Sequence, residues 1–140
     1  VGLGMSSIGE VAGAFVQDHK TLTRYYDLLD AGELPVERGY ALDADDERRR
    51  AVILALMCNF HVDVPAWEAR FGRGFAEEYA AEIRELRAPD GPESHGFVRV
   101  RPEAIDVTPL GNLFVRNLAM VFDRHLRAKK GDRPAFSRTV

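Results

Sequence analysis

A chain of 140 residues with 46% hydrophobic content is long enough for one modest core, and a charged fraction of 29% is ordinary for a globular domain. The formal net charge of -3 leaves no electrostatic footprint for nucleic acid or an anionic membrane, so neither is expected as a partner. The longest apolar run, Ala51 to Cys58, falls far short of the roughly 20 residues that span a bilayer, and the single cysteine excludes an intramolecular disulfide and points to a reducing, cytoplasmic setting.

The opening Val1-Gly2-Leu3-Gly4 lacks an initiator methionine and the layout of a signal peptide, and the expectation is a cut inside a longer chain. Glycines recur through residues 1 to 19 without a helical period, and Val1 to Ile8 is expected as a strand that has lost its neighbours. From Lys20 to Ala31 the apolar Leu22, Tyr25, Tyr26, Leu28 and Leu29 recur at helical spacing, with Gly32 where a helix commonly stops. Leu34-Pro35-Val36 opens an extended connection to Asp43, whose carboxylate is expected to cap a helix with Asp45, Asp46 and Glu47 in its first turn. The predicted core face of that helix is Val52, Ile53, Leu56, Met57 and Phe60.

Asp63 before Val64-Pro65 marks the start of a short helix ending near Phe71-Gly72. Gly74 opens a second helix, Phe75 to Arg87, with a predicted buried stripe of Phe75, Tyr79, Ile83 and Leu86. Ala88 to Gly96 reads as a loop, followed by a hairpin of Phe97 to Val100 and Ala104 to Val107. Thr108-Pro109 begins one long predicted helix carrying Leu110, Leu113, Phe114, Leu118, Val121, Phe122 and Leu126 on one side, and the tail from Lys129 is polar. The fold class is therefore mainly α with a small β-hairpin, in the order of a winged-helix-like domain.

Few residues invite chemistry. Cys58 lies in an apolar helix and reads as a small buried hydrophobe. His19, His61, His95 and His125 are widely separated without metal-ligand spacing, so no metal site is expected. Arg48-Arg49-Arg50 is expected to form an intrahelical charge network with the acidic residues before it, and Arg116-Asn117 to bond to neighbouring loops. The order of elements raises DNA binding as a rival function, but the candidate recognition helix carries Glu77, Glu78, Glu82 and Glu85 against Arg84 and Arg87, which would repel phosphate.

Taken in order, Gly2-Leu3-Gly4-Met5-Ser6-Ser7-Ile8-Gly9, Val16-Gln17-Asp18-His19-Lys20, Tyr25-Tyr26, Arg38-Gly39, Asp45-Asp46, Arg49-Arg50, Leu56-Met57-Cys58-Asn59, the block Val107 to Asp123 and the ending Phe136-Ser137-Arg138 resemble the C-terminal part of bacterial oxygen-independent coproporphyrinogen III oxidase. The resemblance implies a radical S-adenosylmethionine oxidoreductase of haem biosynthesis as the parent. There a [4Fe-4S] cluster on a C-x-x-x-C-x-x-C motif cleaves S-adenosylmethionine, and the resulting radical starts the decarboxylation of two propionates of coproporphyrinogen III to give protoporphyrinogen IX. None of the cluster cysteines occurs here, so the chain alone is expected to be inactive, with no catalytic residue and no bound cofactor.

By the same resemblance Ile8 lines the site of a second S-adenosylmethionine, with Ser6 and Ser7 beside it, and Gly2 and Gly4 would let the backbone approach a ligand. The implied divisions are 1–19 as the end of the catalytic-barrel region and a linker, 20–42 as a helix and extended connection, 43–127 as the winged-helix-like domain and 128–140 as a tail. The implied role is to cover the open side of the barrel, with the parent's own N-terminal barrel and coproporphyrinogen III as partners and a monomer as the assembly. The family pattern is departed from at Arg87 to His95, which is longer and more polar than its usual turn. A haem-binding or chaperone relative of the oxidase is the alternative within the same architecture.

Overall fold

The structure, a computed structural model, describes residues 2–128, and the predicted tail from Lys129 onward lies outside them. The chain divides into two compact units, Val1–Glu47 and Arg48–Val140. Helices and two small antiparallel sheets make up both, so the sheet content exceeds the single predicted hairpin.

The first unit is a three-stranded antiparallel sheet in the order β1 (Ile8–Val11), β2 (Ala14–Asp18), β3 (Val36–Ala41). Its first hairpin closes through Ala12 and Gly13, both at positive φ (49° and 75°), the backbone that a two-residue loop needs to match strand twist. The strand expected at Val1 to Ile8 therefore begins only at Ile8, and the expected connection after Pro35 is a strand that pairs Tyr40 with Phe15 and Val36 with Asp18. Between β2 and β3 lies the predicted helix α1 (Leu22–Asp30). Gly32 (φ 75°) ends it, and the Glu33 N–H returns to the Leu28 carbonyl at 2.8 Å. Helix α2 (Ala44–Leu54) starts as predicted, with Asp43 Oδ1 accepting the N–H groups of Asp45 and Asp46 at 2.9 Å each.

In the second unit α2 passes into a π-helical turn, Ala55–Asn59, that ends on Phe60 at φ 56°. The widened turn breaks the predicted register: Val52 and Leu56 are buried, whereas Met57, Cys58 and Phe60 are exposed. Phe60 then delivers the chain to β4 (His61–Asp63), a strand without a sequence signal, which pairs with β6 (Ala104–Val107) beside β5 (Val98–Val100) in the order β4-β6-β5. Helix α3 (Val64–Phe71) begins where expected, Asp63 Oδ1 accepting the Ala66 N–H at 2.9 Å, and stops at Gly72 (φ 63°).

The helix predicted from Phe75 to Arg87 is dislocated at Tyr79 (φ -112°, ψ 29°) into α4 (Phe75–Glu78) and α5 (Ala80–Leu86). Phe75, Tyr79 and Leu86 are buried as predicted, but the remaining buried position is taken by Glu82 and not by Ile83. Glu82 is there because Arg49 is: Nη1 donates to its carboxylate at 3.0 Å and to the Phe122 carbonyl at 3.2 Å. Around this pair the Trp67 and Phe75 rings, the Trp67 and Tyr79 rings and the Tyr79 and Phe122 rings meet edge to face with centroids 5.1, 5.3 and 5.5 Å apart. Each such buried side chain contributes about 1.5–3 kcal/mol through apolar burial alone.

The long helix predicted after Thr108 is broken into a 3₁₀ turn (Gly111–Phe114), α6 (Val115–Met120) and α7 (Arg124–Ala128). A Cβ on Gly111 would lie 1.8 Å from the Phe97 carbonyl oxygen, so the backbone is pressed against the strand that precedes it. Thr108 Oγ1 fixes that approach by donating to the Gly96 carbonyl at 2.6 Å and accepting the Gly111 N–H at 3.0 Å. Leu110, Leu113 and Phe114 are consequently exposed, against expectation, while Leu118, Ala119, Val121 and Phe122 fill the core.

Glu82→Ala should strand the Arg49 charge and destabilise the second unit by about 3 kcal/mol, whereas Glu77→Ala, at an exposed site on the same stretch, should fall within about 0.5 kcal/mol of the parent chain. Urea unfolding followed by the fluorescence of Trp67, the chain's one tryptophan, reads both. Gly111→Ala should cost about 1–3 kcal/mol or more in the same assay, because the backbone must move to admit the methyl group.

Candidate functional site

The sequence places its candidate ligand residues in the turn before β1, and there the geometry is specific. The Ser7 N–H closes the turn on the Gly4 carbonyl at 3.2 Å, and the Ser6 N–H donates to the His19 carbonyl at 2.8 Å. Ser7 Oγ donates to Asp18 Oδ2 at 2.7 Å, and the Asp18 N–H donates to the Ser7 carbonyl at 3.0 Å. The Gly4 N–H donates to the Tyr25 hydroxyl oxygen at 3.2 Å. Gly4 (φ 100°) and Ser6 (φ 57°) are both left-handed, which lets the chain reverse within four residues.

Ile8 stands at the start of β1 opposite Gln17, with 68% of its surface exposed. Leu3 and Met5 are exposed beside it in sequence, and Ser6 is exposed while Ser7 is half-buried. The Ser7 hydroxyl is already used by Asp18. The two glycines differ: a Cβ at Gly2 would lie 2.8 Å from Ser7 Cβ, so its smallness serves internal packing, whereas Gly4 faces open space within 4 Å. The turn thus offers an apolar surface and backbone groups, and no acid or base aimed at a reacting atom.

Polar clusters in the second unit are structural. Arg48 and Arg49 pair with Glu78 (2.9 Å) and Glu82 (3.0 Å), thirty or more residues along the chain. Arg73 holds the other oxygen of Glu78 at 2.8 Å. Arg116 and Asn117, expected to bond to neighbouring loops, are exposed on α6 because the 3₁₀ turn before it re-phases the segment. On the outer face of the second sheet His61 Nδ1 lies 2.8 Å from Asp106 Oδ1, and Arg101 Nη2 lies 2.5 Å from Oδ2. The hydrogen bond with His61, aided by the Arg101 guanidinium, holds the Asp106 carboxyl below the usual aspartate value. Cys58 is exposed and not buried, and among the described residues no group of three or more His, Cys, Asp or Glu side chains is placed to hold a metal ion. No helix among the described residues is long and apolar enough to cross a membrane.

A family model described as the HemN C-terminal domain matches residues 42–114, from the residue before the Asp43 cap to the end of the 3₁₀ turn. The chain belongs to the HemN C-terminal domain family. Similarity to individual members of the HemN family extends further. The chain is 37% identical to an oxygen-independent coproporphyrinogen III oxidase of Synechocystis sp. over 100% of its own length and 30% of the relative's. It is 39% identical to the Salmonella typhimurium protein of the same name, again over 100% of this chain and 30% of that one. A solved structure described as "Coproporphyrinogen III oxidase (HemN) from Escherichia coli is a Radical SAM enzyme" superposes with a TM-score of 0.80 at 36% identity, covering 88% of this chain and 28% of that one. The chain therefore spans about 30% of the length of the curated relatives it matches. Ser6, Ser7 and Ile8 lie outside the family-model match but inside the span aligned with the Synechocystis and Salmonella proteins.

Because its folded pKa lies below that of an ordinary aspartate, Asp106 contributes stability that is complete above the ordinary carboxylate range and is lost as pH falls through the folded value. Asp106→Asn should remove that part of the acid limb. Thermal melts between about pH 5 and 2 should show the variant's melting temperature falling less steeply than the parent's, and parallel curves would exclude the contribution.

Proposed function

We propose that this chain is the C-terminal segment of an oxygen-independent coproporphyrinogen III oxidase, a cytoplasmic radical S-adenosylmethionine oxidoreductase that converts two propionates of coproporphyrinogen III to vinyl groups. The observation that carries this reading is similarity over the chain's whole length to relatives of that name, at 36–39% identity for the proteins from Synechocystis, Salmonella and Escherichia coli. The relatives named here all carry the oxidase's name, which favours the oxidase over the haem-binding alternative.

Loaded with S-adenosylmethionine, a [4Fe-4S] cluster in the parent would supply the radical. The residues of this chain do not fit such a cluster, since Cys58 is its single cysteine and no metal-holding group is assembled among the described residues. Cluster binding and radical formation therefore belong to the rest of the parent. This chain's part is to cover the open side of the barrel, its residues 1–19 ending the barrel region and residues 43–127 forming a winged-helix-like domain. The run of α2, β4, α3, α4–α5 and the β5–β6 hairpin, with strand order β4-β6-β5, supports that description. Enclosure matters because a primary radical reacts with whatever reaches it.

Ile8 is the chain's contact with a second S-adenosylmethionine in this reading, and the exposure of its apolar side chain supports such a contact. Ser6 is available beside it. Nucleic acid is no partner in this proposal: Glu78 and Glu82 of the candidate recognition helix are held by Arg48 with Arg73 and by Arg49, which commits that side of the helix to packing within its own unit. The assembly is taken as a monomer.

Anaerobic turnover of coproporphyrinogen III by the full-length protein, followed by chromatography of the oxidised porphyrins, should yield protoporphyrin. Deletion of residues 21–140 from that protein should abolish turnover while leaving the visible absorbance of the cluster. A deletion variant that turned over normally would sink the covering role, and a full-length protein without the decarboxylation would sink the oxidase reading.

A further inference from the structure

The turn that carries Ile8 is tied down unevenly. Its C-terminal half is bound to the end of β2 and the residue after it by backbone and side chain alike: Ser6 N–H to the His19 carbonyl at 2.8 Å, Asp18 N–H to the Ser7 carbonyl at 3.0 Å, and Ser7 Oγ to Asp18 at 2.7 Å. Its N-terminal half has much less. Gly4 has no neighbour within 4 Å of where a Cβ would stand, so nothing packs against that side of it at φ 100°, a backbone that glycine adopts without steric restraint. Beyond the turn's own bond from the Ser7 N–H to the Gly4 carbonyl at 3.2 Å, what reaches it from outside the turn is a hydrogen bond from the Gly4 N–H to the Tyr25 hydroxyl oxygen at 3.2 Å.

Tyr25 is well placed to act as a fixed post. It sits in the first half of α1, half-buried, with its ring edge-on to Tyr26 at a centroid distance of 5.5 Å. Its phenol oxygen crosses 21 residues of sequence to meet the turn. The sequence offers Tyr25 as one more apolar position at helical spacing and as part of the family resemblance, with no role attached, and nothing in the chemistry of the site assigned above uses it.

We propose that Tyr25 is a positioning residue: its hydroxyl fixes Gly4, and through Gly4 the Leu3-to-Ile8 surface that meets S-adenosylmethionine. The inference rests on the reading of Ile8 as a contact for that ligand. Losing one neutral hydrogen bond should weaken ligand binding by about 3- to 10-fold. The effect is expected on binding and not on the rate once the site is saturated, because Tyr25 touches neither the ligand nor the reacting atoms in this arrangement.

The test uses the full-length protein with Tyr25→Phe, which keeps the ring and removes the acceptor, and Ile8→Arg as a ligand-contact control. Amide hydrogen exchange read by mass spectrometry over residues 2–8 reports the latch itself, and equilibrium binding of S-adenosylmethionine reports its consequence. Tyr25→Phe should speed exchange in that peptide and raise the dissociation constant, with saturated turnover unchanged. Ile8→Arg should weaken binding without faster exchange at Gly4. Unchanged exchange in Tyr25→Phe overturns the latch. Faster exchange with unaltered binding, while Ile8→Arg still weakens binding, overturns the positioning role alone. If Ile8→Arg also leaves binding unaltered, the ligand reading fails and the proposal falls with it.

Discussion

Arg49 leaves α2, meets Glu82 on α5, and gives a second N–H contact to the Phe122 carbonyl just beyond α6, with its guanidinium 5.5 Å over the Tyr79 ring. A charge taken this far out of water is costly unless its partners are all in place. Those partners come from segments separated by up to 73 positions in the chain. The aromatic cluster of Trp67, Phe75, Tyr79 and Phe122 packs around the same point, so apolar burial and charge pairing select one arrangement of these helices. A partly assembled version would expose rings and bury an uncompensated guanidinium together, which is the physical basis for expecting the second unit to fold cooperatively.

The first unit is built on another principle. Among its described residues only Leu28, Pro35 and Asp46 are buried, and Asp46 accepts the Tyr40 hydroxyl at 2.8 Å. Turns and strand pairing hold it together, and much of its apolar surface, from Leu3 and Ile8 to Leu34, is exposed. Local hydrogen bonds without a large core open readily. In the proposed parent such a unit gains from whatever covers that surface, and the turn geometry is what it can preserve on its own.

Punctuation by short polar residues was legible in the chain because it is local. Asp43 and Asp63 cap their helices as read, and Gly32 and Gly72 end theirs at positive φ. What escaped was nonlocal. Strand β4 is three residues whose identity as a strand comes entirely from pairing with β6, and β3 is exposed along its whole length, so no alternation marks it. Helical periodicity assumes an unbroken helix, and it failed where the π turn, the dislocation at Tyr79 and the pressed Gly111 each shifted the phase. Cys58, Met57, Leu113 and Arg116 were misplaced for that one reason. The candidate site followed the same division: Ser6, Ser7 and Ile8 carry a sequence pattern, while the contact from Tyr25 exists only once α1 has folded back against the turn.

The loop at residues 88–96 has a use at the margin of the second sheet. Strand β5 is an outer strand, and on Val100 the backbone N–H donates to Glu93 at 2.7 Å while the carbonyl accepts from Arg87, the two side chains themselves 3.5 Å apart. A carboxylate and a guanidinium thus occupy the positions that a neighbouring strand's peptide groups would take. Gly91 makes this possible, since a Cβ there would lie 2.7 Å from the Glu85 carbonyl and force the loop outward. The loop serves as a stopper: it ends the sheet at three strands and denies a foreign chain the row of free peptide groups from which edge-to-edge aggregation grows.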